Sequence, residues 1–171
     1  MSKRYLTDNT SFIEVGSWKG GVSGLVSLAN KNKNIDIYVC DTFKGVVNSS
    51  DKDTFFKNSE YNNVSISDVN NIENIVGSKF NIVEGIFPES FKNVITKKPI
   101  SFAHVDVDTY VSAKESIDFL LANSITGALI ILDDYGGWFT DGITKLGNEL
   151  KLKKELIVIP NHLGQLIIYK L

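Results

Sequence analysis

Ile131-Leu132-Asp133-Asp134-Tyr135-Gly136-Gly137 closes an apolar run, Ala128 to Leu132, on two adjacent carboxylates. A short run of branched residues after Gly127 suits an inner strand of a parallel sheet, covered on both faces. Its carboxyl end then delivers two acids to a crevice. A second run, Ile100 to Val105, stops in the same way at Asp106-Val107-Asp108. Open α/β sheets bind ligands beyond the carboxyl ends of their strands, so two strands place four acids at one cleft.

Upstream, Ser11 to Val15 reads as a strand that runs directly into Gly16-Ser17-Trp18-Lys19-Gly20-Gly21. Val22, Leu25, Val26 and Ala29 then follow at the spacing of a helix face over Val22 to Lys31. Ile35 to Cys40 forms the next strand and closes on Asp41, about 20 residues beyond the glycine turn, where a ribose diol would be met. Thr42 to Lys79 is polar and irregular, an excursion above the sheet. Its one helical stripe is Val69, Ile72, Ile75 and Val76, with Gly77 as the cap.

Phe80 to Val83 resumes a strand ending at Glu84-Gly85, and Phe87 to Ile95 reads as a helix entered through Pro88. Ala113, Ile117, Leu120 and Leu121 mark a further helix. Asp141 to Leu150 is another, weakened by Gly142 and Gly147. Leu156 to Ile159 and Gln165 to Tyr169, joined by a short turn, form an antiparallel hairpin at a sheet edge. Alternating strands and helices with a terminal hairpin predict an α/β fold with a mostly parallel seven-stranded sheet. No repeat or low-complexity linker interrupts it.

At 171 residues and 43% hydrophobic content, the chain is sized for one domain with a full core. Its 18 basic and 20 acidic residues give a formal charge of -2, with no electrostatic footprint for nucleic acid or an anionic membrane. A small partner is expected instead. Cys40 is the sole cysteine, which excludes an internal disulfide and a thiolate metal centre and suits a reducing compartment, the cytoplasm by default. The first ten residues are polar, and no segment approaches the ~20 apolar residues of a membrane span.

The glycine turn is Gly-x-x-x-Gly. It lacks the Gly-x-Gly-x-x-Gly spacing that brings a backbone against a pyrophosphate and the Gly-Lys-Ser/Thr of a P-loop, which argues against a dinucleotide and an NTPase. A strand-to-helix turn needing glycine for its backbone angles would look the same, and Asp41 at the next strand end tips the reading toward a nucleoside ligand. The acids are the sharper signal. Crowded carboxylates raise one another's pKa unless a cation neutralises them, so Asp106, Asp133 and Asp134 imply a bound metal. All-oxygen ligation suits Mg²⁺, Mn²⁺ or Ca²⁺. Either Asp133 or Asp134 could instead cap the following turn.

Taken together, Glu14-Val15-Gly16-Ser17-Trp18-Lys19-Gly20-Gly21, Asp41-Thr42-Phe43-Lys44-Gly45, Glu84-Gly85-Ile86-Phe87-Pro88-Glu89-Ser90, His104-Val105-Asp106-Val107-Asp108-Thr109-Tyr110 and Asp133-Asp134-Tyr135-Gly136 resemble the macrocin-type sugar O-methyltransferases of antibiotic pathways. The resemblance covers nearly the whole chain in order. It implies the three-layer, Rossmann-like class I S-adenosylmethionine (SAM) fold, one antiparallel strand included, with SAM and Mg²⁺ (or Mn²⁺) as cofactors. It further implies that Glu14, Gly16, Ser17 and Gly20 shape the pocket for the methionine part of SAM. Asp41 would hold the ribose hydroxyls, Gly85 and Ile86 would lie against adenine, and Asp106 would border the cofactor. Asp106, Asp133 and Asp134 are the implied metal ligands and catalytic residues, turning a substrate hydroxyl into an alkoxide that attacks the SAM methyl.

The chain departs from its relatives at two places. Related enzymes carry helices before the first strand, whereas only Met1 to Ile13 precede Glu14, so residues 1–171 are expected to form a single domain with little or no lid. Catechol-type relatives carry a lysine where Thr109 stands, which leaves the general base unassigned.

His104 reads as a hydrogen-bonded core histidine. His162 is a candidate base by residue type alone, and Asp108 is a second acid that orients a ligand. Trp18, Tyr135, Trp138 and Phe139 stand beside the cleft, where they could stack on a sugar or aromatic acceptor or simply pack. Lys151, Lys153 and Lys154 form a solvated charge run. The expected partner is a small-molecule hydroxyl acceptor, a sugar on the resemblance, with a homo-oligomer left open. A catechol or phenol methyltransferase, a non-catalytic SAM-binding module and a metal-dependent hydrolase are the alternatives.

Overall fold

Every residue of Ser11–Val15 (β1) and Ile100–Val105 (β4) is buried, as strands covered on both faces must be. The computed structural model describes residues 1–171. It pairs these two strands at the centre of one sheet with Asp36–Asp41 (β2), Asn81–Glu84 (β3), Ser124–Leu132 (β5), Leu156–Pro160 (β6) and Leu166–Lys170 (β7). The order is β3-β2-β1-β4-β5-β7-β6. Pairing is parallel except for β7, which runs antiparallel to both of its neighbours. The chain therefore winds outward from β1 in one direction and from β4 in the other. Their junction is the switch point where such sheets open a crevice.

Alternate side chains of the central strands feed two cores. Phe12, Val39, Phe102 and Leu129 pack with Val26 of Gly21–Ala29 (α2), Val69 of Ile66–Val76 (α3), and Leu6, which follows Ser2–Tyr5 (α1). On the opposite face Ile13, Val105, Ile130 and Leu132 meet Ala113, Ile117 and Leu120 of Tyr110–Asn123 (α4), and Ile143, Leu146 and Leu150 of Asp141–Leu150 (α5). The α3 stripe is bounded as its sequence predicts. Ser65 and Asp68 form a capping box, and Gly77 at φ +68° ends the helix with its N–H on the Glu73 carbonyl at 2.9 Å.

Two elements differ from expectation, and a third forms as expected despite two glycines. The helix expected over Phe87 to Ile95 shrinks to one 3₁₀ turn, Glu89–Phe91. Phe87 and Phe91 are both drawn into the core against Phe119, at ring-centroid distances of 5.1 and 5.9 Å, so a single turn satisfies their spacing. Strand β5 starts at Ser124, and its register against β4 jumps from Ile100↔Ser124 to Phe102↔Leu129 around Gly127 at φ +80°. Helix α5 forms fully despite its glycines because both are packing requirements. A Cβ on Gly142 would stand 1.9 Å from Asp53 Oδ1, and one on Gly147 would stand 2.5 Å from the Tyr135 ring.

Candidate active site

The residue after each central strand hydrogen-bonds its neighbour, so the carboxyl end of the sheet is stepped. The N–H of Gly16 donates to the Cys40 carbonyl, Asp106 to Val15, Asp133 to Val105 and Gly85 to Asp41, all at 2.8–2.9 Å. These steps floor a cavity of about 300 Å³ at the switch point. Gly16, Asp41, Gly85, Ile86 and Asp106 all line it.

On the β1–β2 side the turn must be glycine. Gly16 sits at φ +77°, and a Cβ there would fall 1.7 Å from the Asp106 carbonyl oxygen. Asp41 Oδ2 accepts from the Trp18 N–H at 2.8 Å and Oδ1 from the Phe43 N–H at 2.7 Å. Burial nonetheless holds its carboxyl above the usual range. Beneath the turn Glu14 accepts from the N–H of Ser23 at 3.0 Å and from its hydroxyl, and burial pushes Glu14 up to about 7. Ser17 and Gly20 do not line the cavity. The Ser17 carbonyl accepts from Gly20 N–H at 2.7 Å, and Gly20 at φ +79° starts α2, so both shape the turn from behind.

Apolar walls complete this side, and the sequence pattern did not single them out. Val46 and Val47 from the β2–α3 segment face Phe87, Val107, Ser112 and Ser116. The segment is pinned there because the Val47 carbonyl accepts from the hydroxyls of Thr109 at 2.9 Å and Ser112 at 3.3 Å. The irregular polar composition of residues 42–65 hides that role.

On the β4–β5 side carboxylate oxygens of Asp106, Asp108 and Asp134 lie within 4.8 Å of one another. No lysine or arginine pairs with any of them. Burial, then the charges of Asp134 and Asp133, pushes Asp106 up to about 7, while burial with Asp106 and Asp134 pushes Asp108 up to about 8. Asp134 is raised by burial and by Asp133. Asp108 at φ +63° and Asp134 at φ +66° are both left-handed, as are Trp18 and Tyr61 on the same cavity. Such backbone outside glycine costs on the order of 1–3 kcal/mol each and concentrates at functional sites.

This cluster differs from the expected set of Asp106, Asp133 and Asp134. The left-handed turn brings Asp108 back to the strand ends, while Asp133 is drawn sideways. Its Oδ2 lies 3.3 Å from His104 Nε2 and accepts from Gln165 Nε2 at 3.2 Å, and its Oδ1 accepts from the Asp134 N–H at 2.9 Å. Burial alone would raise Asp133, but these donors outweigh it and lower its pKa. His104 is the buried, partnered histidine that its strand position predicts. His162 is exposed on the β6–β7 turn, away from the cavity.

The macrocin-O-methyltransferase (TylF) family matches residues 7–162. This chain belongs to that family. It is a SAM-dependent O-methyltransferase of the class I fold. Among solved structures, the O-methyltransferase NovP is 19% identical and superposes with a TM-score of 0.69 over 98% of this chain and 73% of its own. The calicheamicin methyltransferase CalS11 is 16% identical with a TM-score of 0.70, covering 94% of this chain and 72% of its own. The O-methyltransferase TomG of Streptomyces achromogenes, solved with SAM, is 11% identical with a TM-score of 0.59, covering 94% and 72%. No curated protein sequence matches. No helix of this family member is long and apolar enough to cross a membrane.

Proposed function

We propose that residues 1–171 act as one catalytic domain that transfers the SAM methyl group to a hydroxyl of a small molecule, a sugar hydroxyl on the family's name, with a divalent cation at the acidic step. The observation that carries the cation is the convergence of Asp106, Asp108 and Asp134 without a basic partner. Their oxygens suit Mg²⁺ or Mn²⁺, and burial together with the charges of neighbouring aspartates raises all three carboxyls with no lysine or arginine to offset it. A cation bound there would lower the pKa of an acceptor hydroxyl.

The chain's own residues supply the rest. Asp106 and Asp134 would hold the cation. Asp133, fastened by His104 and Gln165, keeps Asp134 in place through the Asp134 N–H. Asp108, paired with no lysine or arginine, stands beside them to take the acceptor's proton at a carboxylate oxygen once the cation is bound. For SAM, Asp41 would accept the ribose hydroxyls, with its inner lone pairs already fixed by Trp18 and Phe43. Gly85, Ile86 and Phe87 flank the position for adenine, and Glu14, Gly16, Ser17 and Gly20 shape the methionine end. The buried floor and the pinned Val46–Val47 segment exclude water and hold the two reactants in line.

Calorimetric titration with S-adenosylhomocysteine (SAH), with and without Mg²⁺, tests this reading. Micromolar binding, about -8 kcal/mol, is expected in both conditions. Methyl transfer to a sugar or phenol hydroxyl should need Mg²⁺ and should vanish in Asp134→Ala while SAH binding persists. Absence of SAH binding would overturn the proposal.

A further inference from the structure

The β2–α3 segment and the β5–α5 loop bring five aromatic rings together at the mouth of the cleft. Phe55 meets Trp138 at 5.8 Å and Phe139 at 6.2 Å between centroids, and Trp138 meets Phe139 at 5.3 Å. Phe56 meets Phe139 at 6.3 Å and Tyr61 at 6.1 Å. Core packing accounts for only one of them. Phe56 is buried, but Trp138 is 83% exposed and Phe55 52% exposed, although folding normally covers rings of that size. Phe55 and Trp138 meet edge-to-face at 77°, and Trp138 and Phe139 at 83°.

The group is continuous with the reacting end of the site. Phe139 and Tyr61 line the same cavity as Asp106, Asp108 and Asp134. Tyr61, itself 54% exposed, lines the cavity with the acids and packs on Phe56, which joins the acids to the outer aromatics. The frame is fixed on both sides. Thr54, next to Phe55, donates its N–H and hydroxyl to Asp141 at 3.0 and 2.6 Å, and Asp53 Oδ1 accepts from the Tyr110 N–H at 2.9 Å. The hydroxyl of Thr140 donates to the Asp134 carbonyl at 2.8 Å, closing the turn that carries an acid at one end and Phe139 at the other.

We propose that Phe55, Tyr61, Trp138 and Phe139 form the acceptor wall of the cleft, built for a ring with a flat apolar face and a hydroxyl on the edge turned toward the acids. This inference rests on the methyl-transfer reading. It adds that the acceptor is recognised by ring stacking as well as by its hydroxyl, and that an open-chain polyol is rejected. The C–H face of a sugar and the face of a phenol both offer that chemistry to an indole.

The test is saturation-transfer NMR on the SAH- and Mg²⁺-loaded protein with methyl glucoside, catechol and sorbitol as probes. At least one ring probe should bind while sorbitol does not, and the ring probe that binds identifies a sugar or aryl acceptor. In the double variant Phe55→Ala/Trp138→Ala its Kd should rise about tenfold, the scale of lost aromatic stacking, with SAH affinity held within about twofold. Sorbitol binding equal to that of the rings, absence of binding by both ring probes, or an unchanged Kd in the variant would each overturn the wall. Loss of SAH binding by the wild-type protein would instead remove the methyl-transfer reading beneath it.

Discussion

The two sides of the cleft handle buried acid in opposite ways. On the β1–β2 side each carboxylate is completed by the chain itself. Asp41 receives two backbone N–H groups, and Glu14 receives the N–H and hydroxyl of Ser23. On the β4–β5 side three carboxylates face one another with no cation from the protein. The first side is preorganised before any ligand arrives, whereas on the second no lysine or arginine of the chain offsets the acids.

The largest effect is expected where the halves meet. Gly16→Ala would drive a methyl group into the Asp106 carbonyl from a left-handed backbone, so stability should fall by about 3–5 kcal/mol, read from the urea midpoint. A native midpoint would mean that the two turns are not in contact. Next, Asp134→Asn should reduce Mg²⁺-dependent methyl transfer by about a thousandfold, roughly 4 kcal/mol, and leave SAH affinity within a few-fold. The converse variant, Asp41→Asn, should weaken SAH by about 2 kcal/mol, the scale of charged hydrogen bonds, while the protein still gains stability from Mg²⁺. If either variant damaged both functions equally, the division would be wrong.

The last test is a pH dependence. Asp106 at about 7 and Asp108 at about 8 lie far above an ordinary aspartate, so the folded protein binds more protons than the unfolded chain between about pH 4 and pH 8. Stability therefore falls as pH rises through that window. With EDTA present, Tm should be lower at pH 8 than at pH 5. Mg²⁺ should remove the part due to Asp106 and Asp108 and leave the part due to Glu14, which titrates near 7 on the other side of the cleft. A Tm that is flat in EDTA would show that the acids are not crowded.

Much of this division is readable along the chain, because strand ends carry its chemistry. Apolar runs stopping at Asp41, Asp106 and Asp133 place the crevice, and both the sheet and the position of Asp41 follow from them. What escapes is geometry that depends on backbone sign. Asp106-Val107-Asp108 puts its second acid at the cleft, but nothing in it announces that φ +63° gathers Asp108 into one cluster with Asp106 and Asp134, and nothing in Asp133-Asp134 says that His104 and Gln165 will claim the first of the pair. The walls from residues 46, 47, 55 and 61 escape for another reason. They are single residues in irregular backbone, held by distant partners such as Asp141 and Thr109, and no local periodicity reports a contact of that kind. Residues 87–95 mislead because a helix-like spacing of two phenylalanines is satisfied by one turn and a shared core.

The register jump in β5 has a consequence for how this scaffold can vary. The irregularity lies at the amino end of the strand, around Gly127, and the pairing from Phe102↔Leu129 to Val105↔Leu132 is regular up to the acids. Differences in chain length between α4 and Leu129 can thus be absorbed as slack at the end of the sheet opposite the cleft. Residues inserted near Gly127 would enlarge a bulge, whereas one inserted after Leu129 would turn Asp133 and Asp134 to opposite faces and dismantle the cleft.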